Sequence, residues 1–280
     1  MSISTIDKEQ LGEGTGARVV ILPTLRRLYD AFERHFIQLL ADRSREGRPA
    51  VVVFPVGPIQ FRRLAETLNR RGIDCQHLRV FTMDEYCDAE GRMVSDDHPL
   101  SLSGFFRREF LLALDPKLRP ADGNWTSPDP SDLDTYSRRI AEAGGIDVVY
   151  RGFGINGHWA FNEPPEPGME MSLEGFLSLG TRVVTLSRET LAQTAIGGTG
   201  GDLLSIPPKA VTIGPRELMS AREIYCTMVR TWHSGVIRRA LHGPVTPAFP
   251  GSLIQLHPNV TVTLTESVAE APEVLVLQRL

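Results

Sequence analysis

Apolar and polar positions along this chain fall into two alternating rhythms. Short runs rich in valine, isoleucine and leucine occur at residues 18–22, 49–54, 78–83, 147–150, 182–186, 210–213, 224–229 and 260–264, each of strand length. Between them the apolar residues take helical spacing. Leu25, Leu28, Tyr29, Phe32, Phe36, Leu39 and Leu40 mark one buried helix face. Phe61, Leu64, Ala65 and Leu68 mark a second, which should stop near Gly72. Residues 102–114 and 132–143 predict two further helices, the latter capped by Ser131 or Asp132. Strands alternating with helices predict an α/β fold on a mainly parallel, Rossmann-like sheet to which all of these runs contribute. The run at 49–54 is apolar throughout, so helices should cover both of its faces. Residues 197–201, GGTGG, predict a mobile loop rather than a domain linker.

Composition narrows the class. A chain of 280 residues can bury one large core, and nothing in it demands a division, so residues 1–280 are expected to form a single domain. A net charge of −4 with no basic run longer than a pair argues against nucleic acid as a partner. The first ten residues carry charges where a secretory signal would be apolar, and no apolar run approaches the roughly 20 residues of a membrane span. Cys75, Cys87 and Cys226 lie far apart without C-x-x-C spacing, which suits a reducing compartment. A cytoplasmic location is therefore expected.

The densest chemistry lies at residues 152–164, GFGINGHWAFNEP, directly after the apolar run at 147–150. A buried strand opening into Gly-x-Gly lets backbone amides approach a ligand where no Cβ intervenes. His158 and Glu163 stand a few residues apart, so the carboxylate can orient the imidazole for proton transfer near neutral pH. Asp84 sits at the end of the run at 78–83. In open α/β sheets ligands bind beyond the carboxyl ends of the strands, so the loops at 55–58, 84–86 and 152–163 should converge on one crevice. Taken on residues alone, the segment reads equally well as a glycine-rich turn with a solvated histidine.

The motifs decide between those readings. Residues 152–164 resemble the signature G-x-G-x-D-G-H-x-A-F-N-E-P of the glucosamine-6-phosphate deaminase/isomerase family, matching every fixed position except Asn156. Met83-Asp84-Glu85-Tyr86 matches the family's M-D-E-Y, residues 208–214 resemble its P-K-x-A-x-T-x-G, and Leu256-His257-Pro258 resembles its L-Q-L-H-P. The resemblance implies a three-layer α/β/α sandwich and release of ammonia from an amino sugar phosphate through ring opening and aldose–ketose isomerisation. It implies Asp84 as the base at C2, His158 as the acid–base group of ring opening and Glu163 as its orienting carboxylate. Val56, Gly57, Gly154, Asn156, Gly157 and Lys209 are the expected substrate-binding positions. Glu85 is expected to be structural, and Trp159 to serve packing rather than to stack on a sugar. No His, Cys, Asp or Glu cluster has metal-ligand spacing, so no metal or other cofactor is expected. The expected partner is a small sugar, with neither nucleic acid nor membrane involved, and homo-oligomerisation stays open.

Departures from the family pattern concentrate where a phosphate would bind. The family's L-P-T-G-G-T loop reads Phe54-Pro55-Val56-Gly57-Pro58-Ile59 here, so hydroxyl donors become valine and isoleucine, and proline offers no N–H. The family's phosphate-binding arginine falls near Ile196. In a chain whose only lysines are Lys8, Lys117 and Lys209, the resemblance implies that Lys209 is retained to meet the phosphate. Arg62 and Arg63 could supply replacement charge. Asn156 removes a charge beside His158, although an amide can still hold a hydrogen bond. These losses favour a related sugar without the usual 6-phosphate recognition as the alternative substrate. A lactonase and a non-catalytic sugar sensor rank lower: the lactonases lack A-F-N-E-P and M-D-E-Y, and no helix-turn-helix fits before Arg18.

Some family members are activated by N-acetylglucosamine 6-phosphate through basic residues of a T-R-x-x-T-L segment. Here that segment reads Thr181-Arg182-Val183-Val184-Thr185-Leu186, with Val184 where a lysine is expected. Losing a charge-assisted contact worth roughly 1.5–3 kcal/mol should abolish this response. Rate curves recorded with and without N-acetylglucosamine 6-phosphate are expected to superimpose, and a sigmoidal curve turned hyperbolic by the ligand would contradict the reading.

Overall fold

The computed structural model of the protein describes residues 3–272. Ten strands are found among them: β1 (Ala17–Leu22), β2 (Val51–Phe54), β3 (Arg79–Thr82), β4 (Asp84–Cys87), β5 (Trp125–Thr126), β6 (Val148–Arg151), β7 (Arg182–Thr185), β8 (Lys209–Thr212), β9 (Glu223–Met228) and β10 (Val260–Thr265). Helices α1 (Leu25–Arg45), α2 (Phe61–Arg71), α3 (Leu102–Phe106), α4 (Leu133–Glu142), α5 (Leu173–Leu177), α6 (Arg188–Gly198), α7 (Pro215–Leu218), α8 (His233–His242) and α9 (Glu266–Ala269) lie between and after them. Seven strands form one parallel sheet in the order β1-β10-β9-β6-β2-β3-β5.

Alternation along the central strands builds two cores, one on each face. Val52, Phe54, Val148 and Tyr150 pack against Phe32 and Phe36 of α1, Phe61 and Leu64 of α2, and Phe106 of α3. Val51, Val53, Val149 and Ile224 face the other way, onto Tyr136 and Ile140 of α4 and Ile237 and Leu241 of α8. Every residue of β2 is fully buried, as its unbroken apolar run requires. The result is helices on both faces of a parallel sheet. Gly72 caps α2 in the left-handed conformation (φ 60°), where an L side chain would be strained.

Two strands do not join the main sheet as expected. β8 pairs antiparallel with β4 on one side and with β7 on the other, giving a separate three-stranded sheet in the order β4-β8-β7. The reason is burial: β7 is half-exposed along its length, whereas interior strands of a parallel sheet are covered on both faces. The stretch at 102–114 also divides, because α3 ends at Phe106 and a wider π-turn follows at Arg107–Leu111. Gly197 and Gly198 complete the last turn of α6, and Gly200 and Gly201 take positive φ after it.

The passage from β3 to β4 carries the chain from the large sheet into the small one, and Glu85 anchors it. Its buried carboxylate accepts hydrogen bonds from the backbone N–H of Tyr86 (2.7 Å), Leu102 (3.0 Å) and Ser103 (2.7 Å) and from the Ser101 hydroxyl (2.9 Å). Ser101 also caps α3 by accepting from Gly104 N–H. Glu85→Ala would leave several buried donors unpaired. We expect it to cost about 3 kcal/mol or more in urea unfolding, whereas Glu85→Gln, which keeps one acceptor oxygen, should cost less.

Candidate functional site

Beyond the carboxyl ends of β2, β3, β6 and β9 lies a cavity of about 260 Å³. Asp84, His158, Val56, Gly57 and Gly154 line it, as do Thr190, Gln193, Arg230 and His233. A larger hollow of about 500 Å³ runs between α1 and strands β1, β10 and β9, lined by Arg18, His35 and Tyr225 among others. It contains none of the residues expected to act in catalysis or to bind substrate, so the smaller cavity is the candidate site.

The loop after β6 is shaped by close approach. A Cβ on Gly154 would fall inside the His158 ring, so glycine at 154 is what lets the imidazole lie against the backbone. Gly157 has φ 81°, and a Cβ there would meet the Phe249 ring at 2.5 Å. Ala160 follows with φ 52°, a left-handed conformation uncommon for residues other than glycine. Gly154 therefore forms part of the cavity wall, while Gly157 and Asn156 stand behind it rather than lining it.

The hydrogen bonds fix the state of His158. Asn156 Nδ2 donates to Glu163 Oε2 (2.8 Å) and to the Ser187 hydroxyl (3.2 Å), which turns its Oδ1 toward the histidine. That oxygen accepts from the His158 backbone N–H (3.0 Å) and lies 2.9 Å from Nδ1. Nδ1 must then carry the proton, and Thr190 Oγ1, at 2.8 Å, is a second acceptor for it. Nε2 is left unprotonated in the neutral ring and without a hydrogen-bond partner among the described residues.

Glu163 stands behind the imidazole, with Oε2 3.5 Å from Nδ1, and does not line the cavity. Its Oε1 accepts from the N–H of Ser187, the residue that caps α6. Burial alone would raise its pKa. A hydrogen bond from His158 and the charge that ring carries when protonated, with hydrogen bonds from Thr190 and Asn156, outweigh burial and bring it down to about 2. Asn156 thus bridges carboxylate and imidazole where the family's aspartate would add a second negative charge.

Asp84, the first residue of β4, is buried and has no cationic partner among the described residues. Burial, reinforced by the charge of Glu85, pushes its pKa up to about 8. One carboxyl held near neutral pH and one held ionised, with an imidazole between them in function, is the pattern of acid–base chemistry.

Several expected positions lie elsewhere. Lys209 does not line the cavity; its ammonium donates to the Ala89 carbonyl (2.7 Å) on the small sheet. Arg62 is paired with Glu109 (2.7 Å), and Arg63 with Asp30 and with Glu33 (2.8 Å), so neither is free to replace it. Ile196 is 84% exposed and outside the cavity. Sequence reasoning missed Thr190, Gln193, Arg230 and His233. Of these, Thr190 carried a signal, because it follows a Ser-x-x helix start next to the matched segment.

Arg151 was also missed. Its guanidinium is buried between the Phe153 and Trp159 rings, 3.8 Å and 3.7 Å from their centroids, and among the described residues it faces no carboxylate. Burial lowers its pKa to about 9, and both terminal nitrogens lack hydrogen-bond partners. Cation–π contacts of about 2 kcal/mol each when desolvated offset part of the burial cost. Trp159 is thereby committed to packing.

Parallel α/β architecture with an acid–base pair over a small cavity at the sheet's carboxyl edge places the protein among enzymes that act on small metabolites. No family model matches the chain. A glucosamine-6-phosphate deaminase of Rhodopirellula baltica is 33% identical over 208 residues, covering 74% of this chain and 76% of that protein. One from Caenorhabditis elegans is 27% identical over 244 residues, 86% of each chain. The chain belongs to the glucosamine-6-phosphate deaminase family. Among solved structures, a monomeric glucosamine-6-phosphate deaminase superposes with a TM-score of 0.76 at 24% identity, covering 90% of this chain and 98% of its own. A 6-phosphogluconolactonase from Shewanella baltica gives 0.65 at 16% identity, covering 91% and 99%, a likeness of fold. No helix among the described residues is long and apolar enough to cross a membrane.

The raised pKa of Asp84 has a consequence for stability. Its folded value, about 8, lies above the unfolded value near 3.8. Stability is therefore full below the unfolded value and lost as pH rises through the folded one. Asp84→Asn cannot ionise, so its thermal midpoint should gain on the native protein between about pH 4 and pH 8 and hold that lead above. Thermal melts of both proteins across this range check the sign.

Proposed function

We propose that this protein isomerises and deaminates an amino sugar phosphate, in the manner of glucosamine-6-phosphate deaminase. The observation that carries the reading is Asp84 and His158 lining one cavity, with Nδ1 of the imidazole held by Asn156 and Nε2 left free. His158 Nε2 takes the anomeric hydroxyl proton and returns one to the ring oxygen, opening the pyranose. Ionised Asp84 removes the C2 proton of the open aldehyde, and the resulting enolamine is reprotonated at C1, leaving an imine at C2. Water adds to that imine, ammonia leaves, and a ketose remains. One water is consumed for each ammonia released, and no redox change occurs.

Membership of the deaminase family supports this chemistry. A second reading, a related sugar whose far end is recognised differently, is favoured by the cavity wall at residues 55–58, where Val56 and Pro58 replace hydroxyl and amide donors. A lactonase is supported by fold likeness alone.

The test is release of ammonia and ketose from 6-phosphorylated amino hexoses, with deuterium incorporation at C1 as a separate readout of isomerisation. Asp84→Asn should lower kcat at least about 10³-fold, and His158→Gln about 10²–10⁴-fold. The native protein's kcat/KM should rise with pH through about 8 as Asp84 ionises. Full activity in Asp84→Asn would overturn the assignment.

A further inference from the structure

Building on the proposed function, we infer that Arg230 is the residue that recognises an acidic group at the end of the substrate remote from the reacting carbons. The substrate is accordingly an amino sugar carrying a terminal phosphate monoester or carboxylate, held from the β9 side of the cavity. The β2 loop and Lys209, which the family motifs point to, do not supply the charge.

A cavity that takes a sugar acid needs a cation, and the basic residues the sequence offers for that task are engaged. Arg62 is paired with Glu109, and Arg63 with Asp30 and Glu33. Lys209 is bonded to the Ala89 carbonyl. Arg182 donates to Asn162 Oδ1 (2.8 Å) and to the Gly180 carbonyl (3.2 Å). Arg230 is the arginine among the cavity-lining residues, and no lysine lines it. Among the described residues its guanidinium has no ion pair and no hydrogen bond, so its five N–H donors remain for a ligand.

Its backbone, by contrast, is fixed. Arg230 N–H donates to His233 Nδ1 (3.0 Å), and His233 Nε2 lies 3.2 Å from the Phe153 carbonyl, which it meets as a donor. Burial lowers the His233 pKa to about 4, opposed by that carbonyl bond and aided by the Arg230 charge, so the ring stays neutral and the tie is kept. The base of Arg230 is thereby tied to the loop that carries His158. A guanidinium rooted in a rigid turn suits bidentate recognition of phosphate or carboxylate.

The position also fits. In the strand order β9-β6-β2-β3, Arg230 follows β9 and Asp84 follows β3, three spacings apart, or roughly 14 Å between strand axes. Less the reach of the two side chains, that span suits an open six-carbon sugar with a terminal acid. Tyr29 and neutral His233 both lie within reach of the Arg230 charge.

The experiment measures binding in an Asp84→Asn background, where turnover is blocked, by calorimetry with glucosamine 6-phosphate, a 2-amino-hexuronate and glucosamine. Adding Arg230→Gln should weaken binding of the favoured acid about 10–100-fold while leaving glucosamine unchanged, the fold-change of a charge-assisted contact of 1.5–3 kcal/mol. Arg62→Gln, outside the cavity, should change neither. Whichever acid loses affinity names the group, phosphate or carboxylate. Equal binding of all three sugars, or an unchanged preference for the acids in Arg230→Gln, would overturn the inference. Failure of the proposed function is read separately, as absence of ammonia from the native protein with sugars it is found to bind.

Discussion

The site rests on one steric constraint: the His158 ring lies where a Cβ of residue 154 would be. No L side chain fits there, so the loop after β6 closes back on itself, with His158 O accepting from Gly154 N–H at 3.1 Å. That closure sets the ring's face against backbone and directs its two nitrogens apart, Nδ1 toward Asn156 and Thr190 and Nε2 away from them. Everything downstream in the loop serves the same end. Gly157 turns with positive φ beneath Phe249, Ala160 takes a left-handed conformation, and Asn162 ties the loop to the Trp159 and Ile213 carbonyls. Such strain persists where the surroundings over-determine the backbone, and here the surroundings are both sheets at once.

Electrostatics then separate two carboxyl groups that the sequence presents alike. Glu163 is half-enclosed by donors at the start of α6 and stays ionised; Asp84 is enclosed without donors and is held near neutral pH. The difference comes from backbone position. Glu163 follows a turn that faces a helix N-terminus, whereas Asp84 begins a strand whose own backbone groups pair with β8. Asn156 joins the ionised carboxylate to the imidazole through a neutral amide. A carboxylate at 156 would instead stand 2.8 Å or so from Glu163, where two like charges do not both ionise readily.

Much of this was legible in the sequence, for identifiable reasons. β2 declared itself because four consecutive apolar residues, buried on both faces, have no other stable place. α1 was legible from its spacing. The small sheet was not, since β7 and β8 carry runs of strand type that say nothing about which sheet they join, and the antiparallel pairing of β8 with β4 is a contact between segments over a hundred residues apart. That Asp84 and His158 share one cavity was expected from motif context, whereas Glu163 stands behind the imidazole instead of on the cavity wall. Lys209 was misplaced because a motif gives position along the strand but not the direction of a side chain, and on β8 its ammonium meets Ala89 instead of the cavity.

Arg230 and Arg151 show the limit from opposite sides. Both are arginines in a chain rich in arginine, so composition distinguishes neither. Among the described residues, one is exposed at a strand end with no partner for its guanidinium, and the other is buried between two aromatic rings with no charged partner. Their meaning comes from burial. A buried guanidinium excludes water and spends its attraction on Phe153 and Trp159, the residues flanking the Gly154–His158 closure, which makes it part of the loop's rigidity. An exposed one, rooted in a fixed turn and bordering a cavity with a carboxyl at its far side, keeps its donors for what enters. The same side chain thus stiffens the loop that carries His158 in one place and leaves charge available to a ligand in the other, and what selects between them is the path of the strands that carry them.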